Sequence, residues 1–262
     1  MFKITSSSNQ FIKDIKRLNR KRNRWKEKKY IIEGIKIIEE AINENLKLNY
    51  IVYSEEALQN DELNKLLNTI ENKATLVEVS NSIFEEISDT ENPQGVLGVL
   101  SFDINDCDDI RKYNQANFIF LDALQDPGNL GTIIRSADAF NISGIILGEG
   151  CVDPYNQKVV RSTMGSIFRV PIYMCENSIT FLEDIKESGF NIISTDLNGL
   201  ELSEGLKNLN KNIFIIGNES KGVREEYLNL SNKRIKIPMP GKAESLNAGV
   251  AASIIMYEIT KG

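Results

Sequence analysis

The sequence predicts an α/β protein in two parts, a small α/β unit followed by a larger one with a mainly parallel sheet covered on both faces. Three observations predict it. Short apolar runs alternate with stretches of helical periodicity along the chain, whose 262 residues accommodate one large domain or two modest ones. Runs such as Phe118–Leu121, Gly144–Leu147 and Ile213–Ile216 carry no polar side chain, as strands buried on both faces require. The polar stretch from Asp103 to Lys112 interrupts the alternation and reads as a linker, dividing the chain into residues 1–105 and 113–262.

Taken in order, Asn9 to Arg20 has helical spacing through Ile12, Ile15 and Leu18, and Tyr30–Ile32 reads as a strand. Gly34 to Glu44 is a helix with Ile35, Ile38, Ala41 and Ile42 on one face, and Asn49–Tyr53 is the next strand. A helix over Asp61–Ile70, a strand at Leu76–Val79, a short helix Ser82–Glu86 capped by Asn81, and a strand at Val96–Leu100 complete the first part. Beyond the linker, strands are expected at Phe118–Leu121, Gly144–Leu147, Arg169–Ile172, Asn191–Thr195, Ile213–Ile216 and Arg234–Ile237. Helices are expected at Leu130–Phe140, Asn156–Met164, Ile179–Glu187, briefly after Gly222, and over Ser245–Ile259 with Ser245 as N-cap.

Composition excludes more than it assigns. The chain contains no histidine, which removes Ser-His-Asp and Cys-His nucleophilic machinery and most zinc hydrolase sites. Cys107, Cys151 and Cys175 form no CxxC pair, so reduced thiols in a cytoplasmic protein without a metal are expected. No apolar run reaches bilayer length, so no membrane association is expected. Charge is lopsided. Residues 1–30 hold eleven Lys/Arg against Asp14 and Glu27, a net +9, which leaves −15 on the rest of a chain totalling −6. A basic segment of this kind points to a polyanion such as nucleic acid, with Lys16, Arg17, Arg20, Lys21, Arg22 and Arg24 as the candidate residues that contact it. The interleaved Ile12, Ile15, Leu18 and Trp25 show that part of it packs.

Three loops fall at the C-terminal ends of predicted strands, where open parallel sheets bind ligands. The first, Asp122 to Arg135, carries Pro127-Gly128-Asn129 and Gly131 and opens a helix. The second is Gly217-Asn-Glu-Ser-Lys-Gly222. The third runs from Ile237 through Pro238, Pro240 and Gly241 to Ser245-Leu-Asn247, ahead of a helix rich in small residues. Each alone is ordinary turn chemistry. No GxGxxG follows a strand and no GxxxxGK[ST] occurs, so neither a dinucleotide fold nor a P-loop is supported.

In order and spacing the loops resemble motifs 1, 2 and 3 of the SpoU (TrmH) family of RNA 2′-O-methyltransferases, of the SPOUT superfamily. The resemblance rests on Asn129-x-Gly131 with Arg135, on Gly217-Asn-Glu-x-x-Gly222, and on Ile237-Pro-Met-x-Gly241 with Ser245-Leu-Asn247. Ile32-Glu-Gly34 and Asn92-Pro-Gln-Gly95 resemble the small ribosomal-protein-like substrate-binding domain often fused in front. The resemblance implies a deep trefoil knot in the C-terminal part, a homodimer, and S-adenosyl-L-methionine as cofactor. It implies catalytic positions at Asn129, Arg135, Glu219, Ser245 and Asn247, and cofactor contacts at Thr195, Ile215, Gly217, Asn218, Gly222, Ile237, Met239 and Leu246. The implied substrate is a ribose 2′-OH, with 23S ribosomal RNA favoured over tRNA. A catalytically silent RNA-binding assembly factor, a tRNA enzyme and a base methyltransferase are the competing readings.

Overall fold

The structure, a computed structural model, describes residues 2–70, 74–202 and 210–261. The chain packs into two compact units, one of Met1–Asp103 with Asp153–Phe168, the other of Ile104–Val152 with Arg169–Gly262.

The first unit is a five-stranded sheet with helices. It comprises β1 (Phe2–Ile4), α1 (Gln10–Arg17), α2 (Lys21–Glu27), β2 (Lys29–Glu33), α3 (Ile35–Asn43), β3 (Leu48–Ser54), α4 (Asp61–Ile70), β4 (Thr75–Val79), α5 (Asn81–Ile87) and β5 (Val96–Ser101). Strand order is β1-β4-β3-β5-β2. The β1–β4 and β3–β4 pairs are parallel, whereas β5 runs antiparallel to β3 and β2. Ile12, Ile15 and Leu18 join Ile31, Val52, Val77, Phe84 and Leu97 in one buried cluster. The basic segment is therefore part of a folded domain rather than a projecting arm.

Two expectations are corrected here, and one strand is added. The helix expected over residues 9–20 is α1, which ends at Arg17, and a further helix, α2, follows a turn in which Leu18, Asn19 and Arg20 N–H groups bond carbonyls three residues back. β1 is an additional strand, since three residues at a sheet edge with Lys3 in the middle carry too short a pattern to be predicted. Asn81 does not cap α5. Ser80 occupies that position, and the Asn81 amide instead bonds the N–H and carboxylate of Glu56. The two motifs at 32–34 and 92–95 meet: Gln94 Oε1 accepts from Ile35 N at 3.0 Å, capping α3 where Gly34 (φ +113°) has no side chain to do so.

Residues 153–168 add α7 (Gln157–Thr163) to this unit. Arg24 Nη2 and Nε bond Asp153 Oδ2 at 2.6 and 2.9 Å, and Arg24 Nη1 donates to Leu18 O at 2.8 Å. Trp25 Nε1 donates to Asp153 Oδ1 at 3.2 Å, and the Tyr155 ring stacks on Phe102 at 3.9 Å.

The second unit holds β6 (Ala116–Leu121), α6 (Pro127–Ala139), β7 (Gly144–Leu147), β8 (Ile172–Met174), α8 (Ser178–Glu187), β9 (Asn191–Glu201), β10 (Lys211–Ile216), α9 (Glu225–Leu230), β11 (Lys233–Lys236) and α10 (Ala248–Thr260). Its six strands run in the order β11-β9-β10-β6-β7-β8, and neighbours pair in parallel throughout. Phe118, Phe120, Ile192, Ile213, Ile215 and Tyr227 form its core.

The supposed linker belongs to this unit. Asn105 bridges Tyr173, residues Cys107–Lys112 form a 3₁₀ helix started by the Asp106 side chain, and Ile110 is fully buried. The strand expected at Arg169–Ile172 begins only at Ile172, because Pro171 has no N–H for a ladder, although its carbonyl accepts from Ile145 N. The last helix starts at Ala248, with Asn247 rather than Ser245 as N-cap.

Candidate active site

The sheet of the second unit is parallel, so the segments after β6, β9, β10 and β11 leave it at one edge. After β6, Asp126 caps α6 by accepting from Asn129 N at 2.7 Å, with Pro127 in the first turn. That fixes Asn129, only 9% exposed. Its Nδ2 donates to Glu219 Oε1 at 2.7 Å, and its Oδ1 accepts from Asn247 Nδ2 at 2.8 Å. Asn247 Oδ1 in turn accepts from Val250 N at 3.2 Å. Each amide nitrogen donates one bond and each amide oxygen accepts one, which sets both amide orientations and joins one residue from each loop.

The loop after β10 is a tight backbone cradle. Asn218 and Gly222 exchange two main-chain hydrogen bonds of 3.1 and 2.9 Å, and Gly222 has φ +69°. A Cβ on Gly217 would lie 2.1 Å from Gly222 C, so only glycine fits. Asn218 Oδ1 collects the N–H groups of Ser220 and Lys221.

A cavity of about 520 Å³ opens between this loop, the 237–246 segment and β9. The register of β11 against β9 jumps from Ser194 to Leu200, so residues 195–199 bulge out and form a wall. Gly199 permits it, since a Cβ there would meet the Arg234 backbone at 2.6 Å. Thr195 Oγ1 ties the start of the bulge to Ile215 O at 3.1 Å.

The structure places the expected residues as follows. Thr195, Gly217, Asn218, Gly222, Ile237, Met239 and Leu246 line the cavity, and so do Glu219 and Ser245. Ile215 does not. It is fully buried in the core on the sheet, and its neighbour Ile216 faces the cavity. Asn129 and Asn247 lie outside the lining and are joined to it through Glu219. Arg135 is exposed on α6 and has no hydrogen-bond or ion-pair partner among the described residues. Lining residues that the sequence did not disclose include Asp196, Leu197, Ile235, Glu244, Ala248 and Ala251. The Asn198-Gly199 turn pair was the available signal for the bulge.

Of the basic candidates on the first unit, Arg20, Lys21 and Arg22 are exposed. Lys16 pairs with Glu86, and Arg17 with Asp14 at 3.1 Å. Arg24 is corrected. At 3% exposure and engaged by Asp153 and Leu18 O, its guanidinium is closed to a phosphate. No group of three or more His, Cys, Asp or Glu side chains able to hold a metal occurs among the described residues, and none of their helices is long and apolar enough to cross a membrane.

The cavity suits a nucleoside-sized cofactor that carries a cation. Its volume is within the range of small-ligand sites, Ile235, Ile237, Leu246 and Ala251 give apolar walls, the two loops offer backbone groups, and the three carboxylates Asp196, Glu219 and Glu244 outnumber the lysines Lys221 and Lys236 in the lining. A parallel α/β sheet with these loops at one edge, taken with the matches that follow, is that of a methyltransferase of the SPOUT type. The chain belongs to the SpoU rRNA Methylase family, whose profile matches residues 116–257, and an MRM3-like substrate binding domain matches residues 9–98. It is accordingly an S-adenosylmethionine-dependent RNA methyltransferase.

Among its relatives, the 23S rRNA (guanosine(2553)-2′-O)-methyltransferase RlmP of Bacillus subtilis (strain 168) is 35% identical over 260 residues, 99% of each chain. The AdoMet-bound rRNA methyltransferase from Sinorhizobium meliloti superposes with a TM-score of 0.86 at 30% identity, covering 99% of this chain and 97% of that one. The SpoU methyltransferase AviRb from Streptomyces viridochromogenes, in complex with AdoMet, gives 0.86 at 26% identity over 97% of each.

Proposed function

We propose that this enzyme methylates a ribose 2′-OH in 23S ribosomal RNA. The hydrogen-bonded chain Glu219–Asn129–Asn247 at the cavity lip carries the reading, because it holds one residue of each loop in a fixed geometry beside the cofactor cradle. The name of the Bacillus subtilis relative supports both the ribose position and the large-subunit RNA.

When bound, S-adenosylmethionine supplies an electrophilic methyl group on a sulfonium. A 2′-OH is a poor nucleophile, so alignment of the acceptor oxygen is a large part of the task. Arg135 is exposed and available for a substrate phosphate; because a guanidinium offers donors and no acceptor, we assign it positioning of the nucleotide rather than proton abstraction. The 2′-OH proton is released to bulk water as the acceptor oxygen is methylated, which balances the loss of the sulfonium charge. Ser245, exposed at the cavity, and Asn129, clamped on both sides of its amide, orient the ribose. The cradle Gly217–Gly222 with Thr195, Ile237, Met239 and Leu246 holds the cofactor.

We assign RNA capture to residues 1–105, with Arg20, Lys21 and Arg22 supplying salt-dependent affinity, and catalysis to residues 113–262. The protein works in the cytoplasm as a homodimer, and its C-terminal part forms a trefoil knot. Exposed Val250 and Tyr257 on α10 support a dimer face; the small residues Ala248, Gly249 and Ala252 of that helix are already buried, with Gly249 packing against Thr132 of α6.

The test is methyl transfer from labelled S-adenosylmethionine to 23S rRNA and to tRNA, followed by nuclease digestion and mass spectrometry. A 2′-O-methylnucleoside from 23S rRNA is expected. A base-methylated nucleoside, label only in tRNA, or no label in either would overturn the proposal.

A further inference from the structure

We infer that Asp122, with Arg224, is a positioning residue for cofactor binding: a buried clamp that holds the 217–223 cradle in its ligand-ready shape. The inference rests on the reading that the cavity takes S-adenosylmethionine.

Asp122 directly follows β6 and is 1% exposed. A carboxylate that deep is costly without partners. Its Oδ2 accepts from Arg224 N at 2.8 Å, and its Oδ1 from Arg224 Nε at 2.6 Å. The Asp122 N–H bonds Ile216 O at 2.9 Å, on the last residue of β10 before the cradle begins. The next residue, Ala123, holds φ +52°, unusual for a side chain with a Cβ, and its carbonyl accepts from Asn218 Nδ2 at 2.9 Å. The cradle is thus fastened at its start through Asn218 and just past its end through Arg224, both to two consecutive residues of the first loop.

Neither Asp122 nor Arg224 lines the cavity. The guanidinium is turned elsewhere, over the Tyr227 ring at 4.5 Å and toward Glu149 at 3.4 Å. Glu149 is itself anchored by the Ser178 N–H and hydroxyl at 2.9 and 2.6 Å. A charge pair facing away from the ligand cannot contact it, but it can spare the ligand the ordering cost of the loop.

Two variants test this: Asp122→Asn, which places an amide where Arg224 needs an acceptor, and the milder Arg224→Lys, which keeps the main-chain N–H and the charge. Calorimetry with S-adenosylhomocysteine should show binding weakened about tenfold or more for Asp122→Asn, the factor one charge-assisted hydrogen bond carries, and by a smaller factor for Arg224→Lys. RNA affinity should stay within about twofold. Amide exchange at Gly222 to Arg224 should quicken well below the melting temperature. If both variants melt earlier yet bind S-adenosylhomocysteine like the wild type, the pair only stabilises the fold and the inference falls. Equal losses of cofactor and RNA affinity would also overturn it. Should Asp122→Asn not fold, unchanged binding by Arg224→Lys sinks the inference alone. A wild-type protein that does not bind S-adenosylhomocysteine overturns the cavity reading itself.

Discussion

Replacing Arg24 by Met separates a structural role from an RNA-binding one. In the folded protein both partners of the Arg24–Asp153 pair have side chains only 4% exposed, and two bonds of 2.6 and 2.9 Å join them. Methionine fills much of the space but leaves the Asp153 carboxylate with only the Trp25 indole and the Tyr155 N–H. Removing one partner of such a pair costs about 3–5 kcal/mol. For a chain of this size each kcal/mol lowers Tm by roughly 2–4 °C, so a fall on the order of 10 °C is expected in thermal unfolding followed by circular dichroism. Arg24→Met combined with Asp153→Leu should recover most of it, since no charge is then stranded. RNA affinity measured well below the melting temperature should be unchanged. A single variant that melts like the wild type while its RNA salt dependence flattens by about one phosphate contact would refute the reasoning and return Arg24 to the RNA surface.

Four further outcomes follow from the geometry. Arg135→Ala should lower methyl transfer at least about a hundredfold while S-adenosylhomocysteine affinity measured by calorimetry stays unchanged, because the role proposed for the side chain is toward the acceptor and it does not line the cavity. Gly217→Ala pushes a Cβ into the Gly222 backbone at 2.1 Å and breaks the paired Asn218–Gly222 bonds, so cofactor affinity should fall by about tenfold to a hundredfold in the same assay. Changing Arg20, Lys21 and Arg22 together to Gln should reduce the slope of log affinity against log salt by up to about three contacts' worth, read by filter binding at several salt concentrations. Burial pushes the Cys151 thiol up to about 11, and its Sγ donates to Leu121 O. A raised pKa means that its contribution to stability is complete below the ordinary thiol value and is lost as pH rises through about 11. Cys151 is only partly buried, so in native protein at pH 8 iodoacetamide should label it at least several-fold more slowly than in the unfolded chain, as peptide mass spectrometry would show.

Much of this molecule was legible because its strands are apolar throughout and its turns use glycine where only glycine fits. Gly217 and Gly222 advertise the cradle by their identity alone, and Phe118–Leu121 is a buried strand by composition. What stayed hidden depends on partners distant in sequence. Ser245 and Asn247 are equally good caps on paper; Asn247 holds the position because its amide also meets Asn129 across 118 residues. Six basic side chains near the N-terminus looked alike until Asp153 withdrew one of them into the interior. The 195–199 wall has no periodic signature, since it is defined by how β11 registers against β9. Asp122 reads as a turn residue, and its buried carboxylate matters only once Arg224 arrives 102 residues later.

The inclusion of residues 153–168 in the first unit has a consequence for synthesis. Asp153 emerges from the ribosome 129 residues after Arg24. At 5–20 residues per second that interval is roughly 6 to 26 s, during which the nascent first unit lacks both the counter-charge and helix α7. The leading unit, whose five strands and helices α1 to α5 all precede Asp103, therefore gains its last helix only after β6, α6 and β7 are produced.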